Sequence, residues 1–471
     1  MIGGTDRTTD CGLLASGDVA TLFCLSILSL AAGHPLPAGA GELTALSRGI
    51  ERLDQWPQWR GPLGTGASPR ANPPARWDGA TGENVRWKAP VPGRGLSAPI
   101  VWGDRVFLST AIPFGEPLPP RYSTAPGTHD GVPVTHWHKF VALAYHRSDG
   151  KLLWSRVLRE ALPHEGGHHT ASLASNSAVT DGERVYYFFG SYGLYCLDMD
   201  GTVLWEKDLG QMQTLHGHGE GSSPVVCDSQ LIVNWDHESG SFIAAWDLRT
   251  GKEQWRTPRD EVTSWATPIV VEHDGKQQLV VSGTKRIRSY DPATGVELWQ
   301  CGGLSTNVVA SPVAGHGMVF AGSSYDTKAL LAIQLNGAQG DITGSDRIAW
   351  SRTRGTPYVP SPLLVDDALY YLTHYQGILT RLHATSGADR PGAMRLERIG
   401  NVYASPIAAA GKIYITDMEG TTNVLYHAEV PRPLAINKID DEISASAATA
   451  GRELYLRGRS TLYCLAEPET P

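Results

Sequence analysis

Cysteine is scarce in this chain and widely scattered. The 471 residues include 6 cysteines, none adjacent and none in a Cys-x-x-Cys pair, which excludes a zinc ribbon and a thioredoxin-like redox site. Cys196 and Cys464 stand in matching Leu-Tyr-Cys-Leu contexts and read as small buried apolar residues rather than as disulfide partners. Charge is also low. Asp, Glu, Lys and Arg make up 19% of residues, the net charge is −8, and no lysine- or arginine-rich block occurs. A nucleic-acid partner is therefore not expected. Beyond the N-terminal region no apolar run is long enough to span a membrane.

The one sustained apolar run, residues 21–33, has the length of a signal-peptide core, and Ala38-Gly39-Ala40 fits the small-x-small cleavage pattern. Arg7 is the only basic residue ahead of it, and neither Cys11 nor Cys24 follows the small residue that a lipoprotein box requires. Residues 1–40 are expected to be a signal peptide, with the mature chain exported to the periplasm or beyond.

Glycine (52), proline (31), tyrosine (17) and tryptophan (14) are plentiful, as many short strands joined by tight turns require. One stretch recurs. Asp247-Leu248-Arg249-Thr250-Gly251 leads to Trp255, and Asp291-Pro292-Ala293-Thr294-Gly295 leads to Trp299, 44 residues later. Ser148-Asp149-Gly150 before Trp154 and Asp198-Met199-Asp200-Gly201 before Trp205 are looser copies. Each is a strand, a turn needing a positive-φ glycine, and a second strand ending in tryptophan. Repetition at this period marks a propeller or array.

Eight inner strands begin near Pro99, Ser177, Pro224, Pro268, Pro312, Pro362, Pro406 and Ser446. The expected fold is all-β: an eight-bladed β-propeller of four-stranded antiparallel blades over residues 83–466. The stretch around Trp87 resembles an outermost strand without its blade, and residues 444–465 make a blade without its outermost strand. An N-terminal strand completing the last blade would close the ring and remove its exposed edges. Trp87, Trp154, Trp205, Trp255, Trp299 and Trp350 should pack between neighbouring blades. A Pro/Gly-rich extension (41–82), an insertion in the first blade (111–139) and a short tail (467–471) complete the domain plan.

The D-x-x-T-G-x-x-x-W repeats resemble those of the pyrroloquinoline-quinone-like (PQQ-like) β-propeller family, over residues 56–466. That family includes quinoprotein alcohol dehydrogenases and propellers that bind no quinone, among them the lipoprotein that assists outer-membrane barrel assembly. The dehydrogenases imply a calcium held by carboxylate and amide oxygens, a carboxylate base, a Trp under the quinone and often a disulfide between adjacent cysteines. This chain has no adjacent cysteine pair. By that resemblance Trp265 or Trp235 would stack on the quinone, and Asp236 or Glu220 would hold calcium.

In a propeller, the loops entering each blade and those after its second strand share one face. They carry His168, His169, His216, His218, Glu220, Asp236, His237, Trp265, Asn307, Tyr358, His374 and Tyr403 as candidate binding residues, with His129, His136 and His138 on the insertion. With His164 in the second blade's entry loop, ten of the 16 histidines map to that face. Imidazoles so gathered suit zinc, copper or iron, with His168, His169, His216 and His218 as the candidate ligands. The leading expectation is an exported, monomeric, non-catalytic scaffold binding a protein or small ligand there. No catalytic residue is assigned and no cofactor is required. The alternative is an oxidoreductase dependent on PQQ with calcium, or on a transition metal, at the same face.

Overall fold

The computed structural model describes residues 49–468; the expectations for the leader, Cys11 and Cys24 lie outside the described residues. Among the described residues no helix is long and apolar enough to cross a membrane. Eight sheets of four or five strands make up the molecule, with one two-stranded ribbon beside them. The first blade is the meander Ile100–Trp102, Arg105–Phe114, Trp137–His146 and Leu152–Ala161. Its innermost strand lies beside Ala448–Ala450 of the eighth blade. In that last sheet Val85–Pro90 pairs antiparallel with Thr461–Leu465, so one sheet holds strands from both ends of the propeller.

The repeated glycines lock each blade to the one before it. Gly150, Gly201, Gly251, Gly295 and Gly387 have φ of 65–83°. They lie flat on Trp87, Trp154, Trp205, Trp255 and Trp350, so a Cβ on any of them would fall 2.3–2.7 Å from a ring atom. The same five indoles donate Nε1–H to carbonyls of the neighbouring turn, at Arg147, Met199, Leu248, Pro292 and Ala384, at 2.8–3.0 Å. Glycine is thus needed twice over, for backbone conformation and for room. Trp299 differs: it donates to Gln278 of its own blade, and Gly340–Asp341 adds a fifth strand over that sheet.

The small residues at the inner strand starts form a second joint. Backbone amides of Ala98, Ser177, Ser223, Thr267, Ser311, Ser361 and Ser405 each donate to the hydroxyl of the next blade, at Ser177, Ser223, Thr267, Ser311, Ser361, Ser405 and Ser446, at 2.8–3.0 Å. Such a belt satisfies buried amides that no strand partner reaches. At the junction of last and first blades Ala98 offers no hydroxyl; there Arg457 donates to the carbonyl of Ser97.

Residues 56–74 thread the ring. Trp56 bridges to Val101, Pro57 accepts from Thr180, and the Arg60 guanidinium donates to the carbonyls of Pro362 and Pro406. Ala67–Ser68 then pairs with Ala408 and Ala409 on the free side of the seventh blade's innermost strand. This segment touches inner strands on opposite sides of the ring, at Thr180 of the second blade and Pro362 of the sixth. Cys196, Cys227, Cys301 and Cys464 are free and buried. Cys196 and Cys464 lie directly across from Trp205 and Trp87, where a small side chain makes room for the indole.

Candidate functional site

Above the threading segment the axis opens into a cavity of about 600 Å³ with Trp59 among its lining residues. Its wall is a circle of loops from successive blades, and the two sides differ. One side carries His129, Asp130, His168, His169, His218, Glu220 and Trp265; the other carries Tyr325, Tyr358, His374, Tyr375 and Tyr403. Hydroxyls of the serine and threonine belt, including Ser223, Thr267, Ser361 and Ser405, line the cavity between them.

The histidine side is built by three elements. The insertion sends out an arm whose Gly131–Val132 pairs with Gly167–His168 at the entrance to the second blade. His129 on that arm comes to His216 and His218 with ring centroids 4.9 and 4.8 Å apart. His216 and His218 are 5.2 Å from each other, and His168 is 4.8 Å from His218. His216 adopts a positive φ of 58°, unusual for a side chain with a Cβ. Burial, and then the neighbouring imidazoles of His168, His129 and His216, depress the His218 pKa to about 4. Burial first, and His169 second, lowers that of His168. These two rings are therefore neutral at physiological pH. Glu220 accepts from the amide and hydroxyl of Ser191 at 2.7 and 2.6 Å, yet burial still pushes its carboxyl up to about 7.

The aromatic side is a continuous run of rings. Tyr358 lies on His374 at 4.7 Å and 9°, and Tyr325 on Tyr358 at 5.9 Å. Tyr375 joins His374 at 4.3 Å and Tyr403 joins Tyr375 at 5.6 Å. Burial raises the Tyr358 hydroxyl to about 12. Beside it Asn307, at 2% exposure, leaves its Oδ1 without a hydrogen-bond partner.

Of the residues singled out from sequence, His168, His169, His218, Glu220, Trp265, Asn307, Tyr358, His374 and Tyr403 line this cavity. His216 lies just behind His218 and His129. Asp236 and His237 do not belong to the wall. The Asp236 carboxylate is wholly buried, gripped by Arg259 at 2.7 and 3.0 Å and by the Ser264 hydroxyl at 2.6 Å. His237 is buried and accepts from the amide of Gln213. Neither faces the cavity, because each is needed to satisfy polar groups between blades. Trp235 is likewise buried against Phe242. Trp265 does face the cavity, with its Nε1–H donating to Gly219. His136 and His138 hydrogen-bond locally on the arm. Tyr325 and Tyr375, on second-strand loops of the face expected to bind, also line it, and so do Trp59 and Asp130, which the sequence did not single out. The only sequence signal for Trp59 was its place in the cluster Trp56-Pro57-Gln58-Trp59-Arg60, too aromatic for a linker.

The lining of the cavity offers no cationic side chain to pyrroloquinoline quinone. That cofactor is a polycarboxylate, and no lysine or arginine side chain lines the cavity. The buried Arg60 guanidinium donates to the carbonyls of Thr65, Pro362 and Pro406, and Arg457 donates through Nη1 to Ser97 while its Nε and Nη2 have no partner. The Asp236 carboxylate, a candidate calcium ligand, is spent on Arg259. Among the described residues no three His, Cys, Asp or Glu side chains already surround a metal position.

Fold and cavity together define an eight-bladed propeller with a well among the loops of successive blades. The match to known families agrees. The family model described as outer membrane protein assembly factor BamB covers residues 75–258, 138–390 and 239–468 in overlapping registers. The chain belongs to this family of PQQ-like propellers. Among solved structures, quinohemoprotein alcohol dehydrogenase from Comamonas testosteroni is 11% identical, over 89% of this chain and 82% of its own, with a TM-score of 0.58. The computationally designed Ika8 protein matches at 11% identity, covering 81% of this chain and 99% of its own, with a TM-score of 0.53. BamB from Moraxella catarrhalis is 15% identical over 76% of this chain and 98% of its own, with a TM-score of 0.49. At these identities the likeness extends to the fold alone. No curated protein matches the sequence.

Proposed function

We propose that this chain is an exported, non-catalytic binding propeller that takes an uncharged, ring-bearing, hydroxyl-rich molecule, of which a short neutral oligosaccharide is the chemical class, into its axial well. The observation that carries this reading is the run of aromatic rings from Tyr325 through Tyr358, His374 and Tyr375 to Tyr403, in a cavity without lysine or arginine. Aromatic faces pack against the C–H faces of sugar rings. Wells of this size and mixed lining are suited to small ligands.

The test is thermal melting of the full chain, together with tryptophan fluorescence from Trp59 and Trp265, against a panel of neutral oligosaccharides and against PQQ with calcium. A ligand at about 100 times its Kd stabilises the fold by about 2.7 kcal/mol. Such a shift with a saccharide, lost in Tyr358→Ala, is the expected result. Stabilisation by PQQ with calcium and by no saccharide overturns the reading.

A protein partner on the same face is the second reading, in keeping with the family's description as an assembly factor. It is favoured by the arm, where Tyr122, Val132 and Trp137 are 62%, 42% and 44% exposed. Apolar side chains at that density on one loop favour contact with another macromolecule. A photoreactive residue in place of Val132 should crosslink to a defined envelope protein, and the crosslink should vanish when Tyr122 and Trp137 are both changed to Ser.

A further inference from the structure

We infer that His129, His216 and His218 form a site for one divalent transition-metal ion, zinc being the chemical type, at the edge of the axial well. The proposal does not depend on what occupies the aromatic side.

The first observation is geometric. The three rings make a nearly equilateral triangle with centroid separations of 4.9, 4.8 and 5.2 Å. Three imidazoles bound at about 2.0–2.1 Å to one tetrahedral ion place their ring centroids about 5 Å apart. Stacked or solvated histidines have no reason to adopt that three-way spacing.

The second observation is an unmet need. His216 Nδ1 and His218 Nε2 are both shielded from water and have no hydrogen-bond partner. A buried ring nitrogen left unpaired is costly, and a metal ion is the partner that would satisfy both at once.

The third is the outer support. His129 Nδ1 is 2.8 Å from the Gly127 carbonyl, which sets the proton on Nδ1 and leaves Nε2 free. Holding one ring nitrogen on a carbonyl while the other binds metal is how ligand histidines are oriented. His168 lies 4.8 Å from His218, but its Nδ1 accepts from the Thr170 amide at 3.3 Å, which places its proton on Nε2 and sets it apart from the triangle. The His169 ring packs on His168, with centroids 4.3 Å apart, and lies outside the triangle.

The side chains must still rotate to bring three nitrogens onto one point, since no such point is yet surrounded. Metal would therefore tie the arm, through His129, to the third blade's entry loop, through His216 and His218. A three-histidine set leaves one coordination position open, and His129 and His218 face the well. An oxygen of the well's occupant would fill it.

The test uses the full chain, stripped with a chelator and titrated with Co²⁺ while visible absorption is followed, then with Zn²⁺ in competition. One Co²⁺ should bind per chain, with the intense visible bands of low coordination number, and Zn²⁺ should displace it. His129→Gln, His216→Gln and His218→Gln should each weaken binding at least about tenfold, while His374→Gln on the opposite wall should leave it unchanged. His129→Gln carries most weight, because the arm is outside the ring and its loss leaves the blades intact. Unaltered melting of the apo variant would establish that. Absence of a visible band at equimolar Co²⁺, or parental affinity in a folded His129→Gln chain, overturns the proposal.

Discussion

The blade junctions and the wall of the well are built on opposite rules. At the junctions the same devices recur around most of the ring: a glycine pressed on a tryptophan, and a hydroxyl receiving the next amide. Along the wall no single device recurs around the ring, and the wall divides into an arc of imidazoles and an arc of tyrosines joined by His374. The difference follows from what each region must do. A junction must satisfy buried backbone and fill a gap of fixed shape, so few residues serve. A loop end on the open face is constrained by neither, and so it can carry recognition.

That contrast can be broken by experiment. Junction substitutions should cost stability and leave binding alone, and wall substitutions should do the reverse. The largest effect is expected from Asp236→Ala, which strands the Arg259 guanidinium in a fully buried position; chemical denaturation should register a loss of about 3–5 kcal/mol. Trp205→Ala, removing a buried indole and its bond to Leu248, should cost a comparable 3–5 kcal/mol or slightly less. Gly251→Ala comes next, at about 1–3 kcal/mol, because a methyl group must displace the Trp205 ring at a positive φ. Ser311→Ala deletes one link of the hydroxyl belt and should cost about 1 kcal/mol. Smallest of all, His374→Ala should move the denaturation midpoint by less than about 0.5 kcal/mol, despite its central place in the aromatic arc. A wall substitution that destabilises like Trp205→Ala would erase the distinction between the two regions.

Much of the junction chemistry was readable from the chain. The Thr-Gly-x-x-x-Trp repeats name both partners of the glycine–indole contact, because each sits at a fixed offset within a hairpin. The hydroxyl belt was half visible, as small residues ahead of proline at the inner strand starts. Contacts between distant segments were not. Nothing near Asp236 announces Arg259, and an acidic residue beside histidine in a loop looks the same whether it faces solvent or a buried guanidinium. Tyr325 and Tyr375 could be placed on loops of one face, but not against Tyr358, where the fifth and sixth blades meet. His129 was recognisable only as one of several histidines on a long insertion, since the arm's landing place depends on the Gly131–His168 pairing.

The segment that carries Trp59 has a consequence for assembly. It reaches the inner strands of the first, second, sixth and seventh blades, at Val101, Thr180, Pro362, Pro406 and Ala408. Blades far apart in the chain are thereby tied by one stretch that precedes them all. A blade that loosens must break this tie as well as its own junctions, so opening of the ring is shared between blades rather than local.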